Sequence, residues 1–399
     1  MQNVSSSNSQ AVNVPKLRFP GFEGEWENTL LSSVFKKIST KNKDGSITNV
    51  ISNSAKNGLI PQSEYFDKDV ANADNTFGYY IIEKGDFVYN PRKSTEAPFG
   101  PVSVYEYNNT GIVSPLYLCF KPLKSINTDF YKWFFKSPAW HRYIYMSGDS
   151  GARYDRVSMR DDVFFSMPLS IPNDTEQEKI STFLSILDER IKKQQQLIDS
   201  LKLYKRGYFK QQIEVHPQEE FEIKDIVEEY IDKVENNSDL PILSSTMNGV
   251  FLQESYFNKQ TASNDISGYK IVPKGYFTYR SMSDTGRFHF NIQNIVEKGI
   301  VSPAYPVFMV KNNNAQYIEY VLNETDSIKN QLNVLKEGGT RYALGYSKFI
   351  KLKISLPNKD IQDKIANQVM LFNKLVDREV KHLDNLLALK KGLLQQMLI

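Results

Sequence analysis

Ser170-Ile171-Pro172-Asn173 opens a stretch that continues Glu176-Gln177-Glu178-Lys179-Ile180, passes Asp199-Ser200-Leu201 and ends Lys205-Arg206-Gly207 … Gln211. Ser355-Leu356-Pro357-Asn358 opens a second, continuing Gln362-Asp363-Lys364-Ile365, passing Asp384-Asn385-Leu386 and ending Lys390-Lys391-Gly392 … Gln396. The two superpose without a gap at a single offset of 185 residues. Each begins with a helix-start signal: a Pro, an Asn as N-cap, then carboxylates suited to the positive end of the macrodipole. Each closes with cations where the dipole favours them, followed by a Gly.

Between those ends the apolar residues follow a heptad seam. In the first copy it reads Ile180, Leu184, Leu187, Ile191, Gln194, Ile198, Leu201; in the second, Ile365, Val369, Phe372, Val376, Glu379, Leu383, Leu386. Alternating steps of three and four mark a narrow coiled-coil stripe. One polar residue, Gln194 or Glu379, interrupts each copy at the same place. Two unrelated amphipathic helices, each packed on its own domain, would satisfy the seam alone. Matched caps, seam and ends favour a pair of long helices that pack on each other.

The repeat extends outward from the helices. Asn57-Gly58 … Gln62 … Tyr65-Phe66-Asp67-Lys68 matches Asn248-Gly249 … Gln253 … Tyr256-Phe257-Asn258-Lys259. Tyr79 … Ile81-Ile82 … Lys84-Gly85 … Phe87 … Tyr89 matches Tyr269 … Ile271-Val272 … Lys274-Gly275 … Phe277 … Tyr279. Gly111-Ile112-Val113-Ser114-Pro115 … Tyr117 matches Gly299-Ile300-Val301-Ser302-Pro303 … Tyr305, and Gly151 … Arg153-Tyr154 matches Gly339 … Arg341-Tyr342. The chain is therefore a duplication: globular domain, helix, globular domain, helix. Residues 81–82 and 87–89 flank Lys84-Gly85 as strand, turn and strand, and residues 102–105 alternate as a half-buried strand does. The aromatic run 130–143 reads as a helix, with residues 316–322 as its counterpart. Each globular part is expected to be α+β, a mainly antiparallel sheet with helices to one side. Some 38 helical residues span about 57 Å, and close domain entry and exit would make the two helices antiparallel, with a domain at each end.

At 399 residues the chain is long enough for two or three domains, and 40% apolar against 24% charged residues is an ordinary globular composition. No apolar run approaches the ~20 residues that span a bilayer. The Ser-, Asn- and Gln-rich residues 1–14 read as a disordered tail without the apolar core of a signal peptide. Cys119 is the only cysteine, which excludes an internal disulfide and a cysteine-ligated zinc cluster and fits a reducing cytoplasm. Net charge is +3, but ten acids lie between residues 214 and 239, and residues 240–357 carry 13 basic against 8 acidic side chains. Positive charge is local, compatible with a basic face or with a mixed solvated surface.

Duplicated modules on a rigid spacer suit duplex DNA, whose turn repeats every ~34 Å. Direct readout needs polar and cationic side chains on loops that enter a groove. One loop pair is Asn90-Pro91-Arg92-Lys93-Ser94-Thr95 with Arg280-Ser281-Met282-Ser283-Asp284-Thr285-Gly286-Arg287; another is Gly151-Ala152-Arg153-Tyr154-Asp155-Arg156 with Gly339-Thr340-Arg341-Tyr342. The candidate DNA-contacting residues are Arg92, Lys93, Ser94, Thr95, Arg153, Tyr154, Arg156, Arg280, Ser281, Ser283, Arg287, Arg341 and Tyr342. For the two Arg-Tyr pairs a structural role, the Arg on a carboxylate and the Tyr packed, is the alternative. Catalytic signals are missing. There is no phosphate loop, Gly338-Gly339 belongs to no phosphate-binding fingerprint, and His141, His216, His289 and His382 lack metal-ligand spacing. Asn90-Pro91 is not followed by the Pro and aromatic with which an amino-methyltransferase holds a flipped base, and Asp161-Asp162 reads as a turn or helix start.

Taken together these features resemble the DNA-specificity subunit of type I restriction–modification systems. The opening Pro15-Lys16-Leu17-Arg18-Phe19-Pro20-Gly21-Phe22 … Gly24 … Trp26 is similar to the start of such subunits, and Pro172 … Glu176-Gln177 … Lys179-Ile180 to their border between recognition domain and conserved helix. The second copy departs, with Ile361 in place of the Glu. The resemblance implies two pseudo-symmetric α+β target-recognition domains, 15–172 and 214–357, separated by a pair of long antiparallel coiled-coil helices, 173–213 and 358–399. It implies that each domain reads one half of a bipartite target in double-stranded DNA, that the helices set the gap, and that they dock two methyltransferase subunits. Restriction (nuclease–translocase) subunits can then join. S-adenosylmethionine, ATP and Mg²⁺ would belong to those partners, and no cofactor or metal to this chain. Phe183, Leu197, Leu203, Leu387 and Leu394 lie off the seam as candidates for the partner surface, or for packing on the chain's own domains. A pseudo-dimeric coiled-coil adaptor that binds proteins through its end domains is the alternative class.

Overall fold

A computed structural model of the chain describes residues 13–62, 76–148, 154–234, 239–256, 266–335 and 342–399. The tail expected at 1–14 falls almost entirely outside them, as do the repeat blocks at 65–68 and 257–259. The chain forms two compact units, one of Met1–Gln195 with Lys381–Ile399, the other of Gln196–Val380. Each long helix is thus shared out, one part of it packing with each globular body.

The first unit is built on a four-stranded antiparallel sheet in the order Phe35–Lys37, Leu118–Pro122, Phe87–Tyr89, Val102–Val104. Beside it lie the pairs Ile51–Ser54 with Gly58–Pro61, Tyr80–Ile82 with Gly111–Val113, and Glu27–Leu30 with Pro168–Ile171. The second unit repeats this plan: Val227–Glu229, Val307–Val310, Phe277–Thr278 and Asn291–Ile292 form its sheet. Its flanking pairs are Leu243–Thr246 with Gly249–Leu252, Lys270–Pro273 with Lys298–Val301, and Glu219–Glu222 with Lys353–Leu356. The sheet centres match ring for ring. Phe87 stacks on Phe120 in one unit and Phe277 on Phe308 in the other, with centroids 5.5 and 4.9 Å apart. Offset stacking of fully buried rings adds to the area that drives the core together.

The aromatic run 130–143 is two helices, not one. Thr128–Lys136 stops at Ser137, because Pro138 holds the preceding residue in extended backbone (ψ 165°), and a separate helix, His141–Ser147, follows. Its counterpart in the other unit is Ala315–Glu324. Asn127 and Asn314 cap the two matching helices, each accepting from the amide three residues on at 3.0 Å. Asp161-Asp162 does begin a helix, Asp161–Phe165.

The long helices are Asp174–Val215 and Lys359–Met397. Asn173 caps the first through the Glu176 amide and Asn358 the second through that of Ile361. Gln177 and Gln362 fold back onto the Pro172 and Pro357 carbonyls at 2.9 and 2.8 Å. Gly207 and Gly392, read as helix ends, lie inside the helices. Beyond Gly207 the helix buries Phe209 against Tyr317, and beyond Gly392 it buries Leu393, Leu394 and Met397 in the first unit's core. That burial outweighs the cost of about 1 kcal/mol for a helical glycine.

Within the second unit the two helix segments run antiparallel. Tyr204 and Tyr208 pack on Phe372, Tyr208 reaches back to Gln368, and Lys205 donates to Asn373 at 2.9 Å. Within the first, Lys390 pairs with Asp188, and Leu386 shares a cluster with Ile180, Leu184 and Leu187. Along the seam Ile180, Leu184, Leu187, Ile198, Ile365, Val369, Val376 and Leu386 are buried, while Ile191, Leu201, Phe372 and Leu383 are half-buried. The opening stretch straps onto the same body: Leu17 N donates to Gln396 O at 3.0 Å, and Phe19 meets Phe183 edge-on.

Glu319, on the helix Ala315–Glu324, accepts the Ile292 amide at 2.9 Å and so ties that helix to an edge strand. Burial pushes its carboxyl up to about 7, against the pull of that hydrogen bond. Because the folded pKa lies above the unfolded one, the folded state holds an extra proton between about pH 4.5 and 7. Stability therefore falls as pH rises through that window. Glu319→Gln keeps the acceptor and has no proton to lose. Urea unfolding should show the variant gaining about 2–3 kcal/mol on the parent between pH 5 and pH 8. Parallel curves at both pH values would contradict it.

Candidate nucleic-acid interface

In the first unit, the strand Phe87–Tyr89 feeds a loop whose shape is set by buried amides. Asn53, almost wholly buried, donates to Val88 O at 2.7 Å and accepts from Ser103 Oγ at 2.8 Å. Asn90 donates to Asn53 O and accepts the Arg92 amide at 3.1 Å, an Asx turn that aims the next residues outward. Gly100 closes the loop at φ +82°, where a Cβ would stand 2.1 Å from Asn90 O; no other residue fits. Arg92, Lys93, Ser94 and Thr95 are all exposed.

The second candidate loop joins the first. Lys93 N donates to Asp155 O at 2.8 Å, Val157 N to Pro91 O at 2.9 Å, and Arg92 and Arg156 form a β-bridge. The two segments, some sixty residues apart, make one edge. With the turn at 55–57 and Tyr117 they line a cleft of about 580 Å³. Burial raises the Tyr117 pKa, and the charges of Arg156 and Arg92, which line the same cleft, oppose that rise. Arg156 Nε is buried without a hydrogen-bond partner, and Asp155 stands 3.9 Å away. Tyr154 is 95% exposed.

The second unit assembles the same loops in its own way. Met282–Ser283 pairs with Tyr342–Ala343, and Leu344 N donates to Ser281 O at 2.8 Å. Ser281 Oγ is spent on Ala304 O at 2.7 Å, which ties the loop to the turn before Tyr305. Arg280 and Arg287 are exposed, and Ser283 lies within 3.4 Å of Thr285. Burial raises the Tyr305 pKa and Arg280 opposes it, repeating the arrangement around Tyr117. Tyr342 is half-buried against the core, so its role is partly packing, whereas Tyr154 stands clear. Arg153 and Arg341 lie outside the described residues.

Tyr117 and Tyr305 were not among the expected contacts. Their signal was the repeated Val-Ser-Pro-x-Tyr, read as a mark of duplication and given no role. Among the described residues no group of three or more His, Cys, Asp or Glu could hold a metal ion, and no helix is long and apolar enough to cross a membrane.

Two copies of one α+β plan, each joined to a long helix, match a known family twice. The family model described as the type I restriction modification DNA specificity domain matches residues 23–203 and again 217–387. The chain belongs to this family. Among solved structures, the S subunit of a type I restriction–modification system from M. genitalium matches with TM-score 0.53 at 14% identity, over 97% of this chain and 99% of that one. A chain from a structure on complex assembly and conformational transition of the type I R-M system matches with TM-score 0.58 at 11% identity, over 95% of this chain and 98% of that one. At such identities these likenesses carry the fold alone. No curated protein matches the sequence. Specificity subunits of this family are the non-catalytic members of their systems.

Proposed function

We propose that this chain is the DNA-reading specificity subunit of a type I restriction–modification complex, each unit reading one half of a split target. One observation carries the reading. In both units the two candidate loops are hydrogen-bonded into one edge, with an arginine beside a half-buried tyrosine, while the residues on that shared frame differ (Arg92 and Lys93 against Met282 and Ser283). Equal frames with unequal side chains suit two different half-sites.

The continuous helices set the gap between half-sites, and their exposed apolar residues dock two methyltransferase subunits. Ile186 and Leu371 occupy equivalent positions and are 61% and 62% exposed; Tyr204 and Leu389, likewise equivalent, are 62% and 51% exposed. Phe183, Leu197, Leu203 and Leu387 are also exposed, but Leu394 is buried in its own unit's core and is removed from the partner face. Methyl transfer from S-adenosylmethionine, and any ATP- and Mg²⁺-dependent cleavage by restriction subunits, reside in the partners.

Co-expressing the chain with the methyltransferase of the same system and mapping methylation across the host genome tests this. A single split motif, methylated only when both proteins are present, is expected. No new methylation from a purified, soluble complex would favour a protein-binding adaptor.

A further inference from the structure

The first unit has a second concavity, of about 630 Å³, which shares Ala55, Lys56, Asn57, Glu96 and Pro101 with the reading cleft. Its far wall is helical and supplies Lys132, Lys136, Asp188 and Lys192. Two of its charges are already matched: Lys132 pairs with Glu106, and Asp188 with Lys390. Lys56, Lys136 and Lys192 form no ion pair among the described residues. Lys136 lies 4.7 Å over the Trp133 ring, and Lys390 lies over the same ring at 5.1 Å. Burial lowers the Lys136 pKa, and the charges of Lys390 and Lys132 add to that against Asp188 and Glu106. The lining carries Lys56, Lys132, Lys136 and Lys192 against Glu96, Glu106 and Asp188, with Lys390 behind Asp188, a net positive charge that a bound anion would balance.

The second unit provides an internal control. Tyr320 stands where Trp133 does and Lys205 where Lys390 does, with the same cation–π contact at 5.9 Å. Around that retained pair, Lys56, Lys132, Lys136 and Lys192 become Met247, Glu319, Asn323 and Asp377. Glu324 and Asp377 are the main charges acting on Lys205. The cation–π pair is therefore kept without the surrounding lysines, and the exposed Lys56, Lys136 and Lys192 are free to meet a ligand.

We propose that the first unit's groove holds the phosphodiester backbone of the DNA that this unit reads, through Lys56, Lys136 and Lys192, and that the second unit has no such phosphate track at the corresponding place. This rests on the DNA-reading function above. The occupant is a nucleic-acid backbone because the groove is continuous with the reading cleft across the turn at 55–57, and a strand leaving the cleft meets the lysines next. Such contacts hold register and carry affinity without reading sequence.

The test exchanges the residues of one copy for those of the other in the full chain, purified with its methyltransferase. Binding to a labelled mixed-sequence duplex and to one carrying the split motif is followed from low to high salt. Lys56→Met, Lys136→Asn and Lys192→Asp together should flatten the plot of log affinity against log salt by about 2–3, and Lys136→Asn with Lys192→Asp alone, both outside the reading cleft, should leave the methylated motif unchanged. Met247→Lys, Asn323→Lys and Asp377→Lys together should steepen it by a similar amount. The second variant keeps the test informative should the first fold poorly. An unchanged slope in a variant with native circular dichroism overturns the proposal. So does loss of the methyltransferase at constant slope, which would assign the lysines to an acidic protein surface. An unsubstituted complex that prefers no duplex sequence would instead overturn the DNA-reading function itself.

Discussion

Replacing Arg92 and Lys93 together by alanine should abolish discrimination at one half-site and leave the other intact. Both side chains are exposed on a loop that Asn90, Asn53 and Gly100 hold in one shape, so they reach a groove without a cost of ordering the backbone. Each good base contact is worth about 1–3 kcal/mol of discrimination. Losing two should cost about 2–4 kcal/mol, on the order of 30- to 1000-fold in preference for the correct base pairs. Methylation mapping with the variant should return a motif with one specified half and one degenerate half. Equal relaxation of both halves would count against separate readers. The second unit's loop reaches outward through Arg280 and Arg287, since Ser281 is occupied by Ala304, so the corresponding double substitution there should be Arg280→Ala with Arg287→Ala.

Arg18→Ala should unfold the first unit far more readily than an ordinary surface substitution does. Its guanidinium grips Glu176 with two hydrogen bonds of 2.7 Å, and a third holds the Gly24 carbonyl at 2.6 Å. Glu176 is 0% exposed. Removing the arginine strands a carboxylate in the interior, which costs about 3–5 kcal/mol. All three tryptophans of the chain, Trp26, Trp133 and Trp140, lie in this unit, so indole fluorescence during urea unfolding reports on it selectively. The second copy shows the alternative to an ion pair: Ile361 stands in place of Glu176 and packs against its own core. Arg18→Leu combined with Glu176→Ile should therefore recover most of the loss. A single Arg18→Ala variant within about 1 kcal/mol of the parent would show that water reaches Glu176 and that the pair is not critical.

Features that repeat or that depend on neighbours in the chain were legible from the residues. The duplication, the caps at Asn173 and Asn358 and the heptad stripe all belong to this class, because capping and helical periodicity are local and each appeared twice. Helix ends were misread at Gly207 and Gly392, since a glycine's local penalty is small against the burial of Phe209 or Leu393, and only the fold brings those cores within reach. The break at Ser137 was local, but the density of aromatic residues masked the signal from Pro138. That residues 92–95 and 154–156 form one edge followed from strand pairing between distant segments, which no periodicity encodes. Tyr117 and Tyr305 became candidates only because the fold brings the charges of Arg92, Arg156 and Arg280 close enough to act on them. The exchange of Lys56, Lys132, Lys136 and Lys192 for Met247, Glu319, Asn323 and Asp377 is written in the chain, but their convergence on one groove is not. Four positions spread over some 140 residues become neighbours only when sheet, hairpin and helix close around them, because burial of the apolar faces, not the lysines, decides where those elements meet.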